Sequence, residues 1–241
     1  DGSGSRLISG DYDRRSGGLQ WAPDGSGLYF NVFREGYRSL HFVSLDGGVT
    51  LLMESEQLLS LSSFSEDGVA VGTISSAHEP GDLYRFTLNN PNDVTRLTEV
   101  NADVLYGVTL GEVEEIWYPS FDGLQIHGWV IKPPDFDPSR EYPLILVIHG
   151  GPHSMYTAGF NYGWQNHAAH GYVVLYTNPR GSSGYGSEFG NAIKNAYPGQ
   201  DFDDLMAGVD QVIAKGYVDE DNMFVYGCSG GGVLTSWVVG H

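Results

Sequence analysis

The sequence of 241 residues predicts two unlike regions in one chain: all-β blades of repeated short strands, then an α/β region with a mainly parallel sheet. Three observations predict it. A block of turn and strand residues recurs at a spacing of 43 within the first hundred positions. After about residue 110 that repeat stops, and apolar strands alternate with helical patterns. Between the last such strand and the last helix stands Gly-x-Ser-x-Gly, Gly227 to Gly231.

The repeat carries the first region. "WAPDGSGLYF" begins at Trp21 and "FSEDGVAVGT" at Phe64, and Asp24-Gly25 and Asp67-Gly68 keep the same offset. "LHFVSL" at 40–45 and "LYRFTL" at 83–88 keep it too. Asp-Gly forms a tight hairpin turn, because glycine, and less readily aspartate, tolerates positive φ. Each unit then closes on a short stretch, "VTLL" at 49–52 and "VTRL" at 94–97. Several short strands at a period of about 40–45 residues are the pattern of a β-propeller blade. "SRL" at 5–7 matches "TRL" at 95–97 and is read as the closing strand of an earlier copy. Residues 1–110 are therefore expected to form a partial β-propeller, two blades plus the end of a third. Propellers need about 4–8 blades to close, so the expectation is that blades are missing before residue 1.

The second region, 111–241, changes style. "EVEEIWYPSFDGLQIHGWVIKP" reads as two strands around the turn at 121–123, and "PDFDPSREYP" as a surface loop. "LILVI" is wholly apolar, as expected of a strand buried on both faces. A helix over 160–171 ends at Gly171, and "YVVLYTNPRG" follows as a strand. In 201–216, Leu205, Val209, Val212 and Ile213 share one helix face, with Asp201 expected as its cap. "NMFVYG" is the next strand and "GGGVLTSWVVGH" the start of a helix.

The chemistry is expected at that last junction. A serine on a strained strand-to-helix turn stands clear of the sheet edge, and the adjacent helix N-terminus favours developing negative charge. The flanking glycines leave room for close strand–helix packing. Register selects Ser229 over Cys228 as nucleophile, because a cysteine-centred pattern would need glycine where Tyr226 stands. Cys228 is then expected to be a small packed neighbour. "HGGP", His149 to Pro152, follows the apolar strand. In hydrolases of this α/β architecture such a loop supplies one oxyanion-hole amide and the residue after the nucleophile supplies the other. These are Gly151 and Gly230. His149 precedes the serine, whereas the order in this fold is serine, acid, histidine, so His149 is assigned a role in holding the loop.

Taken together, "HGGP", "NPRGSSGYG" (178–186) and "GCSGGG" followed by "LTSWVVGH" resemble the prolyl oligopeptidase family of serine peptidases, in its acylaminoacyl-peptidase and dipeptidyl-peptidase branches. The resemblance runs over nearly all of the chain. It implies a propeller restricting entry to short peptides and the N-terminal half of an α/β-hydrolase domain that cleaves them. Where family members often carry a tyrosine whose hydroxyl helps the oxyanion, this chain has His149, which implies a hole built from backbone amides. The residue after the nucleophile, often tyrosine in the family, is Gly230. The family's triad acid and histidine lie well downstream of the elbow, so they are expected to be absent from this chain, and the chain is expected to be inactive by itself. His241, on the helix after Ser229, would stand about 18 Å from it.

Composition narrows the partners. Twelve Lys+Arg against 30 Asp+Glu leave a net charge of −18, a sign that repels phosphate backbones, so no nucleic-acid partner is expected. Apolar runs such as "PLILVI" (143–148) are too short to span a bilayer. The single cysteine excludes an internal disulfide and fits a reducing, cytoplasmic setting without excluding a secreted one. "DGSGSRLISG" has no basic segment followed by an apolar one, so no leader is expected there, and it lacks an initiator Met. No cofactor is expected; His167 and His170 are read as exposed helix histidines, not metal ligands. Two other readings stand beside the peptidase: an esterase or lipase on the same scaffold, and a non-catalytic, propeller-bearing binding protein.

Overall fold

A computed structural model describes residues 3–54 and 56–241. Asp1 and Gly2, the start of the stretch read above for a leader, lie outside it, as does Ser55. Contacts divide the chain into two compact units, one running through Tyr106 and including Ala158–Phe160, the other made of Gly107–Thr157 and Asn161–His241.

The first unit is built from two successive four-stranded antiparallel meanders. Strands β1 (Ser16–Trp21), β2 (Gly27–Arg34), β3 (Tyr37–Ser44) and β4 (Val49–Met53) form one; β5 (Leu58–Phe64), β6 (Val69–Ser76), β7 (Glu79–Thr87) and β8 (Asn90–Arg96) form the next. The two Asp-Gly turns are the same turn. Gly25 N–H donates to Ala22 O at 2.9 Å and Gly68 N–H to Ser65 O at 3.0 Å, with φ of +70° and +80° at the glycines. Alternate residues of β6 are buried, which puts Ala70 and Ile74 in a core with Leu40, Leu59 and Phe86. Buried Asn31 on β2 stitches the meanders together: Nδ2 donates to Leu59 O at 3.2 Å, and Oδ1 accepts from Leu61 N–H at 3.1 Å. Ser5–Leu7, expected as a closing strand, is not a strand: it pairs with no strand among the described residues and Leu7 is exposed. A four-residue helix, α1 (Ala102–Leu105), follows the second meander.

The second unit holds five strands, β9 (Val113–Pro119), β10 (Gln125–Ile131), β11 (Tyr142–Ile148), β12 (Val173–Asn178) and β13 (Val218–Gly227), in the order β13-β11-β12-β10-β9. β11 pairs in parallel with both β12 and β13, while β10 joins β12 and β9 antiparallel. The sheet is thus half parallel and not mainly parallel, because the turn at 121–123 makes β9 and β10 a hairpin. β12 is buried at every position and β11 at all but one, as their apolar runs require. Helix α2 (Tyr162–Ala169) connects β11 to β12 and is capped by Asn161, whose side chain accepts from Trp164 N–H at 3.1 Å. A short α3 (Ser187–Asn191) and then α4 (Gln200–Ile213) lead to β13, and α5 (Gly230–Gly240) follows it.

On α4, Leu205 and Val212 are fully buried in the core of this unit, with Val209 and Ile213 packed at its edge. Asp201 is not the cap. The helix begins one residue earlier, Gly199 takes the cap position, and Asp201 sits in the first turn with its Oδ1 accepting Gly199 N–H at 2.7 Å. Among the described residues, no helix is long and apolar enough to cross a membrane.

One buried ion pair locks the end of β12 to α4. Arg180 donates from Nε and Nη2 to both oxygens of Asp204, at 2.9 and 2.8 Å, and its backbone N–H adds a third bond at 2.8 Å. Its outer edge holds Asp122 in the β9–β10 turn, at 2.9 and 3.0 Å. Asp204 is fully buried and Arg180 4% exposed, so deleting one partner strands the other away from water. Arg180→Ala is expected to cost about 3–5 kcal/mol in chemical denaturation; a loss below about 1 kcal/mol, the range of a surface pair, would contradict a locking role.

Candidate active site

The parallel register of β11 and β13 brings the two glycine-rich motifs to one place. Ile148, the last residue of β11, is paired with Gly227, the last of β13. The chain therefore leaves both strands at the same sheet edge, one into 149–152 and the other into 228–231. Ligand sites of open α/β sheets lie at such carboxyl ends.

The elbow is strained, as its sequence predicts. Ser229 has φ +58° and ψ −120°, a left-handed value that a residue with a Cβ rarely adopts. Its side chain is exposed and caps nothing. Helix α5 starts immediately: Gly231 N–H donates to Cys228 O at 3.0 Å and Gly232 N–H to Ser229 O at 2.9 Å. Gly230 N–H precedes these bonds and is one of the amides a helix start leaves available.

Three glycines let α5 close onto β11. A side chain on Gly227 would lie 2.7 Å from Ile148 O, and one on Gly231 would run into the same carbonyl. One on Gly230 would lie 2.7 Å from Gly151 O and 2.8 Å from Gly151 N. A side chain on Gly150 would meet the Ser229 Cβ at 3.4 Å. Ser229, Gly230 and Gly151 are thus in one cluster, with the serine hydroxyl exposed beside two backbone segments able to present amides.

The ring of His149 is spent on its own loop. Burial pushes its pKa below the ordinary imidazole value, so the neutral ring donates Nδ1–H to Gly150 O at 2.7 Å. Nε2 lies 2.9 Å from the Ser182 hydroxyl, whose one proton goes either to this nitrogen or to Pro179 O at 2.6 Å. Ser183 N–H donates to Ser154 O at 2.9 Å. Asn178 clamps Tyr156 on both sides: Oδ1 accepts its N–H at 2.7 Å, and Nδ2 donates to its carbonyl at 3.0 Å. The "NPRGSSG" segment therefore holds the "HGGP" loop, a role its sequence did not disclose.

The remaining histidines of this unit's later part are engaged elsewhere. His153 Nδ1 bonds Gly181 O at 3.0 Å, and His170 Nδ1 bonds Asn166 O at 2.7 Å. His167 faces the rings of Tyr172 and Tyr226. His241 caps α5, stacked on Trp237 with centroids 4.0 Å apart. Cys228, expected to be packed, follows the last residue of β13 and is exposed. It borders a cavity of about 340 Å³ lined also by Tyr156, Trp164 and Tyr226. Tyr197, which nothing in the sequence singled out, reaches the elbow with its hydroxyl 2.5 Å from Gly230 O.

Among known proteins, residues 158–241 match the family described as "Prolyl oligopeptidase family". The chain is 36% identical over 240 residues to "Uncharacterized peptidase YuxL" of Bacillus subtilis, covering 99% of this chain and 36% of that protein. It is 31% identical over 225 residues to "Dipeptidyl-peptidase 5" of Porphyromonas gingivalis, covering 92% of this chain and 33% of that one. The structure is similar to that of Pyrococcus horikoshii acylaminoacyl peptidase, with a TM-score of 0.83 at 28% identity over 95% of this chain and 36% of that chain. In each case the chain spans about a third of the relative's length.

The glycine contacts make a sharp prediction. Gly231→Ala should destabilise by about 1–3 kcal/mol through overpacking. Gly232→Ala, with only Gly227 O at 3.5 Å, should gain up to about 1 kcal/mol from helix propensity. Urea unfolding of the two variants checks this, and equal behaviour would contradict the close approach. A second expectation concerns pH. A buried imidazole with a lowered pKa contributes stability above its unfolded value of about 6.5 and loses it as pH falls below. Stability should drop on acidification from that point, less steeply in His149→Gln; an unchanged slope in the variant would contradict a buried, neutral His149.

Proposed function

Because the chain belongs to the prolyl oligopeptidase family, we propose that it is the nucleophile-bearing part of a serine peptidase acting on short peptides. Ser229 Oγ, giving its proton to a base, attacks the scissile carbonyl; the C–N bond breaks, the leaving amine takes that proton, and water then hydrolyses the acyl-enzyme to release the acid and restore the serine. The amides of Gly230 and Gly151 receive the negative charge that forms on the carbonyl oxygen. The observation that carries this reading is the exposed, left-handed Ser229 at the start of α5, with Gly230 against Gly151.

The base that activates Ser229, and its acid partner, come in this proposal from residues C-terminal to the chain, in the serine, acid, histidine order of this fold. Two observations support it: the histidines of residues 149–241 have other contacts, and the peptidase relatives are about three times as long. The two four-stranded meanders are read as propeller blades that restrict entry, and the second unit as the first half of an α/β-hydrolase domain. The relatives' peptidase names favour peptides over simple esters.

The test uses the whole protein and a biotinylated fluorophosphonate, with the adduct located by mass spectrometry. The expected adduct is on Ser229, and Ser229→Ala should lower kcat on dipeptidyl and N-acyl-aminoacyl p-nitroanilides by about a millionfold. The 241-residue chain alone should show no turnover. An adduct at another residue would sink the assignment. Turnover by the chain alone that vanishes in Ser229→Ala would place the base within these residues.

A further inference from the structure

We propose that Tyr197 is a positioning residue of the elbow, holding Gly230 so that its amide faces the carbonyl oxygen of the substrate. The inference rests on the reading of Ser229 and Gly230 given above. It comes from what fills the space where a side chain at position 230 would be. A Cβ there would lie 2.8 Å from the Tyr197 hydroxyl, alongside its contacts with Gly151 N and O. Residue 230 is therefore held from two sides, by the Gly151 peptide and by Tyr197.

The hydroxyl donates to Gly230 O at 2.5 Å, the short end of the range for such bonds. That carbonyl belongs to the first turn of α5, and the amide of the same residue is the proposed oxyanion donor. A bond at the carbonyl limits rotation of the residue about its Cα, and hence the direction of its N–H. The restraint matters because glycine lacks the side-chain contacts that hold other residues in one conformation. Oxyanion stabilisation depends on a donor already aimed before charge develops.

Tyr197 is itself fixed. Its ring packs against the core of the unit. The turn that carries it is closed by Ala196 N–H to Ile193 O at 3.0 Å and Phe202 N–H to Gly199 O at 2.9 Å. Buried Asp201 accepts Gly199 N–H. A side chain at 199 would lie 2.7 Å from Ala196 O, so the turn has this shape only with glycine. Burial raises the Tyr197 pKa above its ordinary value, with Asp201 adding to the effect, so the group remains an O–H donor through the neutral range. Its proton is committed to Gly230 O, so it acts on the reaction through Gly230 and does not touch substrate.

The experiment compares wild type and Tyr197→Phe in the whole protein. It measures kcat and KM for p-nitrophenyl butyrate, the second-order rate of fluorophosphonate labelling, and Tm. The expected result is a fall of about tenfold in both kcat and labelling rate, smaller than the loss on deleting a donor outright. KM should stay within about twofold and Tm within about 4 °C. Wild-type kcat and labelling in the variant would overturn the proposal. So would activity lost only in step with Tm, which would make the hydroxyl a structural bond. Failure of the wild type to label at Ser229 would instead remove the underlying reading.

Discussion

The carbonyl of Ile148 stands where side chains at Gly227 and Gly231 would have to be. That one close approach sets the rest of the site. It lets α5 begin within four residues of the end of β13 and lie against the end of β11. With no room for a wider turn, the chain passes through a left-handed residue, and that residue is Ser229. The strain is local, and the core beneath it, with β11 almost wholly buried, is what holds it.

Around this contact the molecule spends its polar groups on holding backbone. His149 and Asn178 fasten the loop that carries Gly151, and Arg180 with Asp204 fastens the segment that carries Asn178. Tyr197 approaches from the opposite side and binds Gly230. All five of these side chains come from chain segments outside the elbow, and in the proposed reaction none needs to move for a hydroxyl and two amides to converge. The serine alone is left exposed. The oxyanion role proposed for Gly230 and Gly151 relies on donors whose orientation is fixed before the reaction begins.

The elbow was legible in the sequence because its requirements are local: glycines at fixed offsets, a strand before and a helix after. The Asp-Gly turns were legible for the same reason, since one residue's φ decides each of them. What connects distant positions was not. Ser120 and Asp204 are 84 residues apart, and no pattern in the chain announces their bond at 2.6 Å. Tyr197 is 33 residues from Gly230 and looks like any half-buried aromatic. Asp201 was misread as a cap because acidic residues suit both the cap and the first turn, and the turn at Gly199 chooses between them. Ser5–Leu7 is not a strand among the described residues, because a closing strand forms only against the other strands of its own copy. Cys228, expected to be packed, lies just past the end of β13 in the elbow turn and is exposed.

The proposed chemistry requires Ser229, Gly230 and Gly151 to form one reaction centre. A crystal structure of the whole protein after reaction with a fluorophosphonate tests it directly, because the tetrahedral phosphorus imitates the intermediate of acyl transfer. The expected structure has phosphorus bonded to Ser229 Oγ, with one phosphoryl oxygen about 2.7–3.1 Å from both the Gly230 and Gly151 nitrogens. An adduct whose oxygens point to solvent, or bond to neither amide, would contradict it.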